Sequence, residues 1–488
     1  MIDPLVLLLL TLVIVGGFAL VGILLTRGQV RDAEDYITAR NTMGLHVATA
    51  TFIATVMGAW ILFSPAEAGV FFGLPAVIGY GIGSAIPLIV YAFLGPRARR
   101  LAPTGHSVTE LSLARFGLSM YSVVLFVSVF YMFIFLAAEL TAIALTFNLL
   151  AGIPPVFPAL VLPALLVGLA TLAYTAYGGL RASVVTDHIQ VLVILPLLAV
   201  AFVGVIVALG GPIVLFQEIT TNAPELLQLT SLPGIYFAIF VAIAITGANI
   251  FNQAYWQRFY ASRSERVLKR GLGVAAFAVF PMVALAGMFG IMAAGVGASE
   301  VPSVAFFSLV LASLPIWLVL LIYLLVLALI MSTMDSLLNG LASIFTTDVP
   351  RLGGRLSSRN LLRFARVITL LLALAAIVIA SFGFSVLTLF LVADLVCAAA
   401  AFPMVYGLYS ERLGGVGAAV ASIAGMVVGT PFFALAQAPG ADVASLYLLS
   451  FGLAFVTSVA LTLVFSLGRK RYDLGILAIE VQELGVQR

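Results

Sequence analysis

Apolar residues along this chain come in continuous blocks of about twenty, the length an α-helix needs to cross the ~30 Å hydrocarbon core of a bilayer. The blocks begin near residues 4, 43, 74, 119, 157, 186, 236, 271, 317, 364, 386, 415 and 445, and Gly, Pro or charged residues punctuate them. They predict an all-α integral membrane protein with about 13 transmembrane helices. Strands of a membrane barrel would instead alternate apolar and polar positions over segments of about ten residues.

Two blocks carry signs of a break. In Ala54 to Gly69, "ATVMGAWILFSPAEAG", Gly58 and Pro65 interrupt an apolar run that also holds Ser64 and Glu67. In Ala242 to Arg258, "AIAITGANIFNQAYWQR", Gly247 stands beside Asn249, Asn252 and Gln253. These are the second and seventh spans, the separation expected of two five-helix units repeated in inverted orientation, and paired interruptions point to a transporter site built from unwound helices. Ordinary Gly kinks in long membrane helices are the other reading.

The ninth block ends in the polar stretch "MSTMDSLLNG", Met331 to Gly340. On a helix, Ser332, Ser336, Asn339, Ser343 and Thr347 form one stripe, spaced four, three, four and four residues apart. Small hydroxyl residues and Gly340 suit close helix packing, which accounts for Ser336, Ser343 and Gly340. Ser332 and Thr333 differ in being adjacent and near mid-span. Hydroxyls and backbone carbonyls supply the several oxygens a dehydrated alkali cation requires without burying a carboxylate, so the pair suits sodium. Asp335 points elsewhere on the helix and reads first as a structural partner for a basic loop, or as a group tuning the ion path.

Composition agrees: 63% of the 488 residues are hydrophobic and 9% charged, against about 25% charged in soluble domains. All 23 Lys and Arg fall in alternate connections, at 27 to 40, 97 to 115, Arg181, 258 to 270, 351 to 366, Arg412 and 469 to 488. The positive-inside rule then places the N-terminus outside and the C-terminus in the cytoplasm. The net charge of +3 is thereby an orientation signal and gives no reason to expect nucleic acid. The first block lacks a basic leader and is read as a retained helix. Cys397 is the one cysteine, so no disulfide forms within the chain, and three histidines, His46, His106 and His188, make no zinc or iron site. Two external connections, 210 to 235 and 297 to 316, are long enough for partial helices or lids. Nothing resembles an intramembrane enzyme's nucleophile pair or metal cluster.

Three segments together, Tyr174 to Gln190 ("YTAYGGLRASVVTDHIQ"), Ala54 to Ala59 ("ATVMGA") and Met331 to Val349 ("MSTMDSLLNGLASIFTTDV"), resemble the sodium/solute symporter family. Phe251 to Ser262 and Ala102 to Gly117 are most similar to its urea and polyamine branch. The resemblance implies a LeuT-type core of two inverted five-helix repeats, with one extra helix before it and two after. Residues 1–42 would hold the extra helix and first cytoplasmic loop, 43–210 and 211–410 the two repeats, 411–468 the last two helices, and 469–488 a cytoplasmic tail.

It also implies a sodium ion between the second and ninth spans, on the hydroxyls of Ser332 and Thr333 and the carbonyls of Ala54, Met57 and Leu329. Asp187 matches a residue assisting ion exit; an N-cap role is its structural alternative. Val56 and Gly58 stand where some members carry oxygen-bearing side chains, and nothing supports a second sodium site. The solute site is expected between the broken spans, near Trp60, Glu67, Glu139, Asn249, Asn252, Gln253, Tyr255 and Trp256. Glu139 and Asp394 each admit three readings: binding an amine, carrying a proton, or hydrogen-bonding in protonated form.

The expected function is sodium-coupled symport of a small polar organic solute, urea- or amine-like, by alternating access in a cell membrane, with a bacterial inner membrane favoured. Proton coupling in the same fold and a solute sensor acting through a partner protein are the alternatives.

Overall fold

The computed structural model describes residues 2–29, 33–351, 358–467 and 471–481. Among them the helices are α1 (Pro4–Thr26), α2 (Ala33–Ile37), α3 (Leu45–Val56), α4 (Ser64–Leu101), α5 (Val108–Phe116), α6 (Leu118–Ala151), α7 (Val161–Ala208), α8 (Pro212–Asn222), α9 (Leu232–Ile250), α10 (Gln253–Ala261), α11 (Glu265–Gly295), α12 (Ala305–Ser313), α13 (Ile316–Arg351), α14 (Ser358–Ala380), α15 (Val386–Gly407), α16 (Gly415–Leu435), α17 (Val443–Ser466) and α18 (Leu477–Glu480). The two long connections, 210 to 235 and 297 to 316, contain α8 and α12. Of the predicted tail 469–488, residues 469, 470 and 482–488 lie outside the described residues, as do 352–357 of the basic connection 351 to 366.

Eleven helical segments among the described residues are long and apolar enough to cross a membrane. Two of them are hairpins. In α4 the chain turns at Gly73 (φ 67°, ψ −157°) and in α7 at Gly179 (φ 55°, ψ −142°). Val77 folds back so that a Cβ on Gly69 would sit 3.3 Å from it, although eight residues of straight helix cover about 12 Å. Likewise Tyr174 and Thr186 donate to the same oxygen of Asp335, at 2.7 and 3.0 Å, although twelve residues of straight helix cover about 18 Å. Glycine is required at both turns, because φ is positive and a Cβ would lie 2.4 Å from the Leu226 or the Tyr36 carbonyl oxygen. Dividing the hairpins, and counting α3 with the first arm of α4, yields the thirteen crossings the apolar blocks predicted.

Close helix approach holds the bundle. Where α4 crosses α11, a Cβ on Gly290 would lie 1.8 Å from the Ala66 carbonyl oxygen and one on Gly69 2.4 Å from that of Gly287, the small-residue contact that membrane helices use in place of hydrophobic burial. On the outside, α1 packs against α7 and α13 and turns Leu5 and Val13 outward.

The basic connections gather at one end. Arg40 donates to the carbonyls of Pro103, Thr104 and Gly105, Arg99 to those of Phe259 and Ser262, Arg115 to those of Gly407 and Ser410, and Arg181 pairs with Asp35. At the same end buried His106 lies between Glu34 (2.6 Å) and Glu110 (3.2 Å), and Glu34 also holds Arg40 at 2.7 Å. Burial opposes a charged imidazole, but the two carboxylates outweigh it and raise the His106 pKa to about 9. Burial would raise Glu34, yet His106 and Arg40 lower it to about 2.

The His106 contribution is therefore complete below its ordinary pKa of about 6.5 and lost as pH rises through about 9, while that of Glu34 is lost only as pH falls from about 4.5 through about 2. Thermal unfolding in detergent should show stability declining between pH 6.5 and 9 by up to roughly 3 kcal/mol from His106. His106→Gln should flatten that slope.

Candidate ion and solute sites

α3 stops at Val56 because Met57 (φ −84°, ψ 87°) and Gly58 (φ −94°, ψ 178°) leave helical geometry, and the chain resumes in a short 3-10 turn, Ala59–Leu62. The break frees backbone groups that need partners. The Val56 carbonyl accepts from Trp60 Nε1 at 2.9 Å, and the Ala59 amide donates to Glu139 Oε2 of α6 at 2.8 Å. Glu139 thus caps the resumed helix of the first broken span, a role its apolar surroundings in "FLAAELTAIAL" did not reveal.

Gly58 is where it is because of Glu139: a Cβ there would come within 2.0 Å of Glu139 Oε1. Gly58→Ala should lower uptake by about tenfold or more, since misplacing this carboxylate forfeits a charge-assisted hydrogen bond. In Gly58→Ala with Glu139→Ala the two losses should be non-additive, which uptake rates of the single and double variants measure. The second break lies between α9 and α10, where Asn252 leaves the helix (φ −78°, ψ 100°) and its side chain accepts from the Ala254 amide at 3.1 Å.

α13 meets the end of α3 directly. Ser332 Oγ lies 3.1 Å from the Ala54 carbonyl oxygen and 2.8 Å from Asp187 Oδ1. Thr333 is 1% exposed, and its hydroxyl has no hydrogen-bond partner among the described residues. Met57 and Leu329, on the same two elements, are buried. A partnerless buried hydroxyl one residue from a side chain that touches a broken helix end is an oxygen that a cation would satisfy, and the donor set is all oxygen. No group of three or more His, Cys, Asp and Glu capable of holding a metal occurs among the described residues.

Beside this point lies a buried ionic network. Arg258 of α10 is fully buried and spends its donors on Asp187 Oδ2 (2.8 Å), Ser183 (3.1 Å), Ser336 (2.8 Å), Thr51 (2.7 Å) and the Ala254 carbonyl (3.0 Å). Thr51 also donates to Asp187 at 2.5 Å. Asp335 accepts from Tyr174, Ser183 and Thr186 at 2.7, 2.7 and 3.0 Å.

Three sequence readings change here. Asp187 is not an N-cap, because its helix resumes at Gly179 and the carboxylate faces Arg258 and Ser332. Asp335 partners hydroxyls instead of a basic loop. Ser336 binds a guanidinium and does more than pack. Arg258, read only as an orientation charge, is the residue the sequence analysis missed; its place inside the aromatic run "AYWQRFYA" was the signal that it does not face water.

A small cavity of about 40 Å³ opens beside the break. Its walls include Thr55, Val56, Trp60, Tyr80, Asn249 and Asp394. Of the residues expected near the solute, Trp60 and Asn249 line this cavity. Asn252, Gln253, Tyr255, Trp256 and Glu139 do not line it. Gln253 donates to the His106 carbonyl and accepts from the Val108 amide, Tyr255 packs on Tyr91 with centroids 4.8 Å apart, and Trp256 Nε1 donates to the Ile250 carbonyl. Glu67 sits higher on α4, where the hydroxyl of Ser385 binds it at 2.8 Å.

The sodium:solute symporter family profile matches residues 36–425. The chain is 30% identical over 378 residues to a spermidine transporter of Candida albicans, covering 75% of this chain and 68% of that one. It is 22% identical over 437 residues to a urea-proton symporter of Oryza sativa, covering 80% of this chain and 59% of that one. Against urea transporters of yeasts it spans 38–39% of their length. Among solved structures, a Na+-coupled sialic acid symporter in a substrate-bound outward-open state superposes with a TM-score of 0.72 at 19% identity, over 95% of this chain and 98% of that one. The architecture is that of the LeuT-type transporters.

Proposed function

This chain belongs to the sodium:solute symporter family, a family of transporters and not enzymes, and from that membership we propose that it couples inward sodium movement to uptake of a small polar organic solute by alternating access. One observation carries the sodium assignment: the buried hydroxyl of Thr333, without a hydrogen-bond partner among the described residues, one residue along α13 from Ser332, which touches the Ala54 carbonyl. Met57 and Leu329 contribute the further carbonyls. The charge balance supports it, since Arg258 pairs with Asp187 while Asp335 is held by the hydroxyls of Tyr174, Ser183 and Thr186, leaving the network receptive to a cation.

Asp187 bridges Ser332 and Arg258, which suits a residue that receives the ion on its way out. Arg258 must release it for the ion to leave, so the pair doubles as a closure of the basic end. With the N-terminus outside and the basic end cytoplasmic, one positive charge moving down 100 mV supplies about 2.3 kcal/mol, enough for roughly fiftyfold accumulation of a neutral solute.

The test is radiolabelled uptake into proteoliposomes for urea, putrescine, spermidine, proline and pantothenate, with an inward gradient of sodium or potassium and with or without a pH gradient. Sodium-driven uptake of one solute is expected. Uptake driven by protons alone would transfer the coupling to Glu139, whose Oε1 also lacks a hydrogen-bond partner among the described residues. Binding without flux would replace the transporter by a sensor.

A further inference from the structure

The cavity beside the first break has an unusual wall. Asp394 of α15 is 4% exposed, its Oδ1 has no hydrogen-bond partner, and no ion pair among the described residues includes it. Around it the rings of Trp60, Tyr80, Tyr131, Phe135 and Phe390 form a continuous series. Trp60 stacks on Tyr80 at 5.8 Å, Phe390 meets Trp60 edge-on at 6.1 Å and Phe135 at 4.8 Å, and Phe135 continues to Tyr131 at 5.7 Å. Five aromatic side chains and one lone carboxylate therefore enclose the same space.

Burying a carboxylate without a counter-ion is costly, so such a group persists where a ligand completes it. Aromatic faces present negative potential to an enclosed cation and favour one whose charge is carried on an organic skeleton. A bare alkali ion would need hard oxygens around it, and these rings provide few. An anionic solute would face Asp394 directly.

Resting on the symporter reading of the same site, we propose that this cavity takes an organic cation, an aliphatic amine whose ammonium pairs with Asp394 while its methylenes lie against the aromatic box. The ammonium's N–H groups then satisfy the free carboxylate oxygen, and the carboxylate's charge is balanced inside the membrane. Substrate selection is thereby electrostatic: neutral solutes of similar size lose the ion pair, and carboxylated ones meet repulsion.

The test is equilibrium binding of radiolabelled spermidine and putrescine, with urea and proline as neutral and zwitterionic controls, to the purified full chain in nanodiscs. Wild type, Asp394→Asn, Asp394→Glu and Phe390→Ala are compared. Amine binding should weaken at least about a hundredfold in Asp394→Asn, recover in part in Asp394→Glu and weaken about tenfold in Phe390→Ala, since loss of a buried charge partner outweighs loss of one ring. Quenching of Trp60 fluorescence by the amine gives a second readout, with Trp60→Phe as its control. Thermal unfolding of each variant identifies any that fail to fold, and Phe390→Ala keeps the test valid should Asp394→Asn be one.

Absence of amine binding to wild type, or equal binding in Asp394→Asn, overturns the proposal. Sodium-driven uptake of urea with no amine binding would overturn the cation site and leave the symporter standing. Amine binding that requires Asp394, without any sodium-driven flux, would do the reverse.

Discussion

Alanine at Ser332 and Thr333 together should abolish the proposed sodium-driven uptake, and Thr333→Ala alone should produce most of the effect without loss of stability. The asymmetry follows from their partners. Ser332 is within hydrogen-bond reach of the Ala54 carbonyl and Asp187, so removing its hydroxyl also loosens the join of α3, α7 and α13. The Thr333 hydroxyl has no hydrogen-bond partner among the described residues, so the only interaction its removal should cost is the one with the proposed ion. Two charge-assisted oxygen contacts are together worth roughly 3–6 kcal/mol, or a hundredfold or more in sodium affinity. The check is sodium dependence of uptake beside thermal unfolding in detergent. A Thr333→Ala variant with an unchanged sodium requirement would move the ion elsewhere.

How far the sequence reaches depends on whether a feature is local. The apolar blocks and their punctuation located all thirteen crossings, including the two arms on either side of Gly179, because membrane thickness sets helix length. The breaks at Gly58 and around Asn252 were legible because glycine loosens a helix and amide side chains need polar partners, so both are costly inside an unbroken apolar span. Side-chain direction after a break was not. Trp60 turns toward the cavity, whereas Asn252, Gln253, Tyr255 and Trp256 serve α10 and its neighbours, since the angle at which a helix resumes is set by tertiary contacts.

Pairings across distant spans were equally hidden. Gly58, read as a lost oxygen, is the space that admits Glu139, whose carboxylate replaces it from another helix. Asp394 was recognised as an intramembrane acid with three possible uses, but the absence of a partner emerges only when its neighbours are known.

Arg258 is where those long-range pairings converge, and its replacement should have the largest effect on stability. Arg258→Met leaves Asp187 without a counter-charge among hydroxyls, and removing one partner of a buried ion pair costs about 3–5 kcal/mol. Lysine should not rescue it, because Nε, Nη1 and Nη2 together reach Thr51, the Ala254 carbonyl, Ser183, Asp187 and Ser336, a fork one ammonium does not reproduce. Arg258→Met with Asp187→Asn should regain part of the loss, since the stranded charge is gone. Thermal unfolding of the four proteins measures this cycle. Flux separates the two roles of the pair: if it closes the basic end, the double variant should be folded yet leak solute without sodium, whereas a purely structural pair would leave transport coupled in every variant that folds.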